Sequence, residues 1–211
     1  MKIEEANELL KPGYLPFEAG YQRLDDGVLL VAARSSLLGC KGKMVDWWFS
    51  FIESTADYKR WHPTDHVYSA WEGVRGTGEY IGGTHLVHEY LAGPPVIYKL
   101  KINFRDPAEI LDVSLFAGAG VSTAVHARIG MIDAPGFAGK MVHFVRDTPY
   151  GCEMRSRFWL GLFQENDIPN SVQSRKEIFP DEFGARLCQH CHEEMSILGT
   201  ILPDLYAGHQ K

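Results

Sequence analysis

Between residues 179 and 205 the chain reads FPDEFGARLCQHCHEEMSILGTILPDL, a run that keeps helical periodicity throughout. At roughly 100° per residue, Phe183, Leu187, Ile197, Leu198 and Ile201 share one apolar face. His190 and Glu194 fall in the middle of that face, whereas His192 and Glu193 lie outside it or at its margin. The pattern predicts one long helix beginning near Pro180 or Asp181. It should stop at Pro203, because proline lacks an amide hydrogen and clashes with the preceding turn.

The surface to receive this helix is written in the middle of the chain. In VIYKLKINFRD, Val96, Tyr98, Leu100, Ile102 and Phe104 alternate with Lys99, Lys101, Asn103 and Arg105, the period of a half-buried strand. VSTAVHARI repeats the pattern, with Val121, Thr123, Val125, Ala127 and Ile129 on one side. Further strands are expected over residues 71–79, 84–91, 111–117, 140–147 and 152–163. Turn-rich links at Ala134-Pro135-Gly136 and Thr148-Pro149-Tyr150-Gly151 favour antiparallel neighbours. Met44–Ile52, MVDWWFSFI, reads as a buried helix. One helix, many antiparallel strands and a long last helix make an α+β arrangement in which a curved sheet wraps a helix and encloses a cavity. Residues 1–40, punctuated by Pro12-Gly13, Pro16, Gly20 and Asp26-Gly27 around a short apolar strand at Val28–Ala33, are expected as a lead-in segment, with residues 41–211 forming the functional domain.

Composition narrows the function classes. A net charge of −6 without a basic block argues against nucleic acid as a partner. No apolar run reaches the ~18–20 residues that span a bilayer, and the charged opening MKIEEANELL lacks the apolar core of a secretory signal. A cytoplasmic protein without a membrane partner is expected. The cysteines, Cys40, Cys152, Cys188 and Cys191, are then free thiols, and Cys188-x-x-Cys191 lies mid-helix, where a thioredoxin-like redox pair would not.

An unpaired buried carboxylate costs several kcal/mol, so Glu194 needs a partner. Residues four apart share a helix face, and His190 with Glu194 can form either a hydrogen-bonded pair or half of a cation site. Two more clusters offer the remainder. YKRWHPTDH brings Tyr58, His62, Asp65 and His66 together, although a surface turn at Pro63 would also account for it. THLVHEYL holds His85, His88 and Glu89; alternation groups Glu89 with Val87 and Leu91, and His88 with Leu86 and Tyr90, without choosing the inner face. One histidine or carboxylate from each of several segments, converging in a cavity, is how catalytic zinc sites are built. His143 alternates with Met141 and Val145 and can face the cavity, while His126 sits on the polar side of its strand and is expected to be solvated.

The segments PGY, DGVLLVAARSSLLGC, VDWWFSFI, YKRWHPTDHV, HEYL and HCHEEM together resemble the 2,4-diacetylphloroglucinol hydrolase family, which includes the phloretin hydrolases, from about Pro12 to Met195. The resemblance implies a helix-grip fold of the Bet v 1 and START type, adapted to hold Zn2+. Carried over position by position, it implies that His66, Glu89, His190 and Glu194 bind the zinc. Tyr58, His143 and Glu89 would be the catalytic residues, and Asp65 would orient a histidine. The activity it implies is hydrolysis of the carbon–carbon bond between an acyl group and a polyhydroxylated aromatic ring, with a small aromatic ketone as substrate and a homodimer as one possible assembly. The chain begins shortly before the PGY segment, so a dimer contact or lid built from a longer N-terminal extension is not expected to carry over. His62 and His88 remain alternatives to the proposed ligands. A non-enzymatic carrier of an aromatic or lipid-like molecule, and a metal-dependent hydrolase or cyclase of other aromatic polyketides, remain alternatives to the activity.

Overall fold

The alternating segments are strands that pair with their sequence neighbours. In the computed structural model, which describes residues 1–73, 79–163 and 171–210, the strands are β1 (Gly20–Arg23), β2 (Leu29–Leu38), β3 (His66–Glu72), β4 (Thr84–Tyr90), β5 (Ile97–Arg105), β6 (Val121–Met131), β7 (Gly139–Thr148) and β8 (Gly151–Leu160). They form one antiparallel sheet in the order β1-β2-β8-β7-β6-β5-β4-β3. The tight Pro149-Tyr150 link closes the β7–β8 hairpin at the Thr148↔Gly151 pair.

Helices α1 (Gly42–Phe51) and α2 (Thr55–Trp61) lie between β2 and β3, and α3 (Phe116–Ala119) lies between β5 and β6. Helices α4 (Val172–Ile178) and α5 (Asp181–His209) end the chain. Helix α2 opens on a capping box in which the Ser54 hydroxyl accepts the Asp57 amide and Asp57 answers to the Ser54 amide. Helix α5 lies across β1 and β2 and meets α1 and α2. Its close approach needs Gly184, where a Cβ would stand 2.8 Å from the Tyr21 Cβ. The main core, including Trp48, Phe49, Trp61, Val87, Phe104, Val125, Phe158, Leu187 and Leu198, fills the space between α5, α1 and the concave face of the sheet. A curved antiparallel sheet gripping a long C-terminal helix is the helix-grip architecture.

Four expectations need correction. The stretch 1–40 holds β1 as well as the strand expected at Val28–Ala33, which runs on as β2 to Leu38 and pairs along its whole length with β8, so the sheet begins well before residue 41. Residues 111–117 form no strand: Asp112 caps a 3-10 turn by accepting the Ser114 amide, and α3 follows, ending at Gly120 with φ +67°. The strand expected over 71–79 starts earlier, at His66, and runs to Glu72; residues 74–78 of that stretch lie outside the described residues. Helix α5 passes through Pro203 to His209. The carbonyl that Pro203 deprives of an amide partner, that of Gly199, accepts instead from the Cys40 thiol at 3.6 Å.

The convex face of the sheet is also covered. A 3-10 helix over Ile3–Leu10 packs there with Leu111, Phe144 and Trp159 in a second apolar cluster. A register shift between Val121 and Thr123 turns Val121 toward this outer cluster, away from the inner face that holds Val125 and Ala127. Among the described residues no helix is long and apolar enough to cross a membrane.

Candidate metal centre

Alternation on β4 resolves in favour of Glu89: His85, Val87 and Glu89 are buried, while Leu86, His88 and Tyr90 are half-buried on the opposite face. His66, the first residue of β3, stands directly across from Glu89 in the ladder. Helix α5 brings His190 and Glu194 over the same spot. Ligand atoms of His66, Glu89 and His190 all lie within 4.8 Å of one another. Glu194 Oε2 is 3.6 Å from His66 Nε2 and 3.9 Å from His190 Nε2. Bonds of about 2.1 Å to a tetrahedral ion put neighbouring ligand atoms roughly 3.4 Å apart, so these separations suit one cation.

Hydrogen bonding fixes which ring nitrogens are available. His66 Nδ1 donates to the Tyr58 carbonyl at 2.8 Å and His190 Nδ1 donates to Asp65 Oδ2 at 3.0 Å. With Nδ1 as the donor, each ring offers Nε2 as its ligand nitrogen once neutral; His66 Nε2 is fully buried without a hydrogen-bond partner, and His190 has to release its Nε2 proton to take a cation. His62 is the reverse case. Its Nδ1 accepts the Asp65 amide at 3.1 Å, which places its proton on Nε2 and leaves no lone pair for a cation, although His62, Asp65 and His190 also cluster. His88 points to the other face, against Tyr68.

Tyr58 serves two of the converging groups. Its ring stacks on His66 with centroids 3.6 Å apart, its carbonyl holds His66 Nδ1, and its phenol donates to Glu89 Oε2. Burial and then the Glu89 charge hold that phenol well above its usual pKa, so it stays a donor. Burial depresses His66 to about 3. Burial opposes the charge on His190 as well, but the Asp65 hydrogen bond and the charges of Glu194 and Glu89 outweigh it and raise the ring to about 9. Burial lifts Glu194 to about 7 against the pull of His190 and His62. Three buried carboxylates, Asp65, Glu89 and Glu194, thus meet two imidazoles, a donor set with an excess of negative charge that a divalent cation balances.

Tyr58, Glu89, His190 and Glu194 of this cluster line a cavity of about 680 Å³. The remaining wall is largely apolar, with Phe49, Tyr98, Ile129, Phe158, Phe179 and Phe183 among its residues. His143, on β7, faces the same space; its Nδ1 meets Ser156 Oγ at 2.7 Å and burial lowers its pKa to about 3. His85 also reaches the cavity, bonded through Nε2 to Ser69 Oγ at 2.7 Å and stacked on Trp71. His126, expected in solvent, is fully buried under the convex-face cover and bonds the Met141 carbonyl through Nδ1 at 2.7 Å. Ser69 and Ser156 carry no sequence signal that separates them from other strand serines.

A family model described as the DAPG hydrolase PhiG domain matches residues 1–207. The chain belongs to the DAPG hydrolase family. Curated relatives within this similarity are a 2,4-diacetylphloroglucinol hydrolase of Pseudomonas sp, 28% identical over 224 residues covering 97% of this chain and 76% of the relative, and a phloretin hydrolase of Eubacterium ramulus, 29% identical over 219 residues covering 97% and 77%. Among solved structures, protein Ms6760 from Mycobacterium smegmatis aligns with a TM-score of 0.43 at 12% identity, covering 88% of this chain and 94% of that one. The ginseng major latex-like protein 151 aligns with a TM-score of 0.41 at 10% identity, covering 78% and 98%.

Proposed function

We propose that the chain is a zinc-dependent hydrolase that cleaves the carbon–carbon bond between an acyl group and a polyhydroxylated aromatic ring, releasing a carboxylic acid. The observation that carries this reading is the meeting of two imidazole Nε2 atoms, those of His66 and His190, with the carboxylates of Glu89 and Glu194 beside a largely apolar cavity. Membership of a family whose named relatives are hydrolases of 2,4-diacetylphloroglucinol and phloretin supports the same substrate class.

His66, Glu89, His190 and Glu194 are the residues that would hold the ion. Bound there, zinc would polarise a carbonyl oxygen and bring the pKa of a water to about 7. The protein supplies the rest. The aromatic walls bind and orient a flat ring and exclude bulk water. An aryl carbanion is a very poor leaving group, so the ring carbon must gain a proton while the ring adopts its keto form, and the departing fragment is then a stabilised enolate. His143 and Tyr58, one on the wall and one beside Glu89, are the groups that hold ring oxygens and move that proton. Glu89 carries its Oε2 bond from the Tyr58 phenol and is the adjacent carboxylate to receive a proton from the attacking water.

The test is elemental analysis of purified wild type and His190→Ala, paired with acid release from an acylphloroglucinol. About one zinc per chain and acid release, both lost in the variant, support the proposal. Wild type that neither retains nor takes up zinc turns the reading toward a carrier of aromatic molecules.

A further inference from the structure

His143 and Ser156 are direct cross-strand partners on β7 and β8, and both side chains are buried on the inner face. The Ser156 hydroxyl stands 2.7 Å from His143 Nδ1. A hydroxyl has one proton to give. Ser156 is buried, so that proton needs an acceptor, and among the described residues His143 Nδ1 is the one at hydrogen-bond distance: the bond runs from Ser156 O–H to His143 Nδ1. Ring packing keeps His143 in place for this, with Phe49 stacked at 5.8 Å and Phe158 edge-on at 5.9 Å.

We infer that Ser156 is a positioning residue that fixes His143 in the tautomer with its proton on Nε2, so that the cavity is offered a hydrogen-bond donor aimed at an oxygen of the bound ring. With Nδ1 occupied as an acceptor, the single proton of the neutral ring lies on Nε2, and His143 lines the cavity. Without the Ser156 hydroxyl the two tautomers compete, and the other one offers a lone pair to the ring oxygen, where it repels. The inference rests on the reading that an acylated polyhydroxy-aromatic binds in this cavity. It gives work to a serine that otherwise passes as packing.

The experiment is long-range proton–nitrogen NMR of the histidine side chains in the zinc-loaded protein, with the His143 signals identified by their absence in His143→Gln. Wild type is expected to show His143 protonated at Nε2. Ser156→Ala should show a mixture of tautomers at unchanged zinc content, with kcat for acylphloroglucinol hydrolysis down at least about tenfold. Ser156→Thr should restore both readings. A wild-type His143 carrying its proton on Nδ1, or a Ser156→Ala tautomer unchanged from wild type, overturns the inference. A shifted tautomer with unchanged hydrolysis upholds the part assigned to Ser156 and removes His143 from the proposed reaction.

Discussion

His66 and Glu89 face each other as direct partners on adjacent antiparallel strands, and the side chain of Tyr58 touches both. Directly opposed residues hold their side chains about 4.5–5.5 Å apart at Cβ, so the sheet itself sets the spacing of two of the four converging groups. The long helix brings the other two, one turn apart.

That division predicts separable effects. His190→Ala and Glu194→Gln are each expected to lose the metal and hydrolysis while keeping the far-UV circular dichroism of wild type, because neither side chain is needed to dock α5. Full turnover with stoichiometric zinc in either variant would refute the ligand set.

His88 is the control for the strand register. It lies on the outer side of β4 against Tyr68, so His88→Ala should leave zinc content and turnover within about twofold of wild type. Loss of zinc in this variant would mean that the inner face of β4 has been misassigned.

Asp65 accepts the Nδ1 proton of His190 and is itself buried. Asp65→Ala should weaken metal affinity about 10–100-fold, read by titration against a competing chelator, since the ring loses the partner that sets its tautomer and its angle. An affinity equal to wild type would show that Asp65 has no part in holding His190.

Tyr58→Phe keeps the ring on His66 and removes only the phenol from Glu89. Zinc should remain bound, and kcat should fall by about 10²-fold. Unchanged kcat would remove the Tyr58 phenol from the proposed proton transfer.

Acid stability rests on strand β8 and the segment before β1. Glu18 clamps Arg155 and Arg157 on the convex face at 2.5 and 2.6 Å. Although burial opposes its charge, the hydrogen bonds from the two guanidiniums prevail and hold the carboxyl at about 2, against an ordinary 4.5. The folded pKa is the lower one, so the contribution to stability is complete above about pH 4.5 and disappears as pH falls toward 2. Glu18→Gln should therefore be less stable than wild type to denaturant at pH 7, by about 3 kcal/mol because two guanidiniums stay buried without a counter-charge, and the gap should shrink below pH 4. A gap independent of pH would show that the Glu18 charge is not what matters.

Much of the architecture was legible in short-range pattern. Period-two alternation over 97–105 and 123–129, and the helical face of 181–201, are local consequences of backbone geometry and formed as expected, whereas the register shift after Val121 moved that residue to the outer face. The placement of His190 and Glu194 in the apolar stripe of α5 was readable for the same reason. The strand expected at 111–117 failed because Asp112 and Gly120 supply a cap and a left-handed stop that outweigh apolar content. Pro203 failed as a stop because the Cys40 thiol, far away in sequence, takes over the abandoned carbonyl of Gly199.

What the sequence determined by itself was the set of elements, the polar residues each must bury, and the family those residues spell. Which of His88 and Glu89 turns inward, which nitrogen of His62, His66 and His190 carries a proton, and how Ser156 meets His143 were decided only by tertiary structure. The physical reason is that a strand has two equivalent faces and a neutral imidazole two equivalent tautomers. Only partners brought together from other segments can break those symmetries: the Tyr58 phenol and carbonyl, the Asp65 carboxylate and the Ser156 hydroxyl.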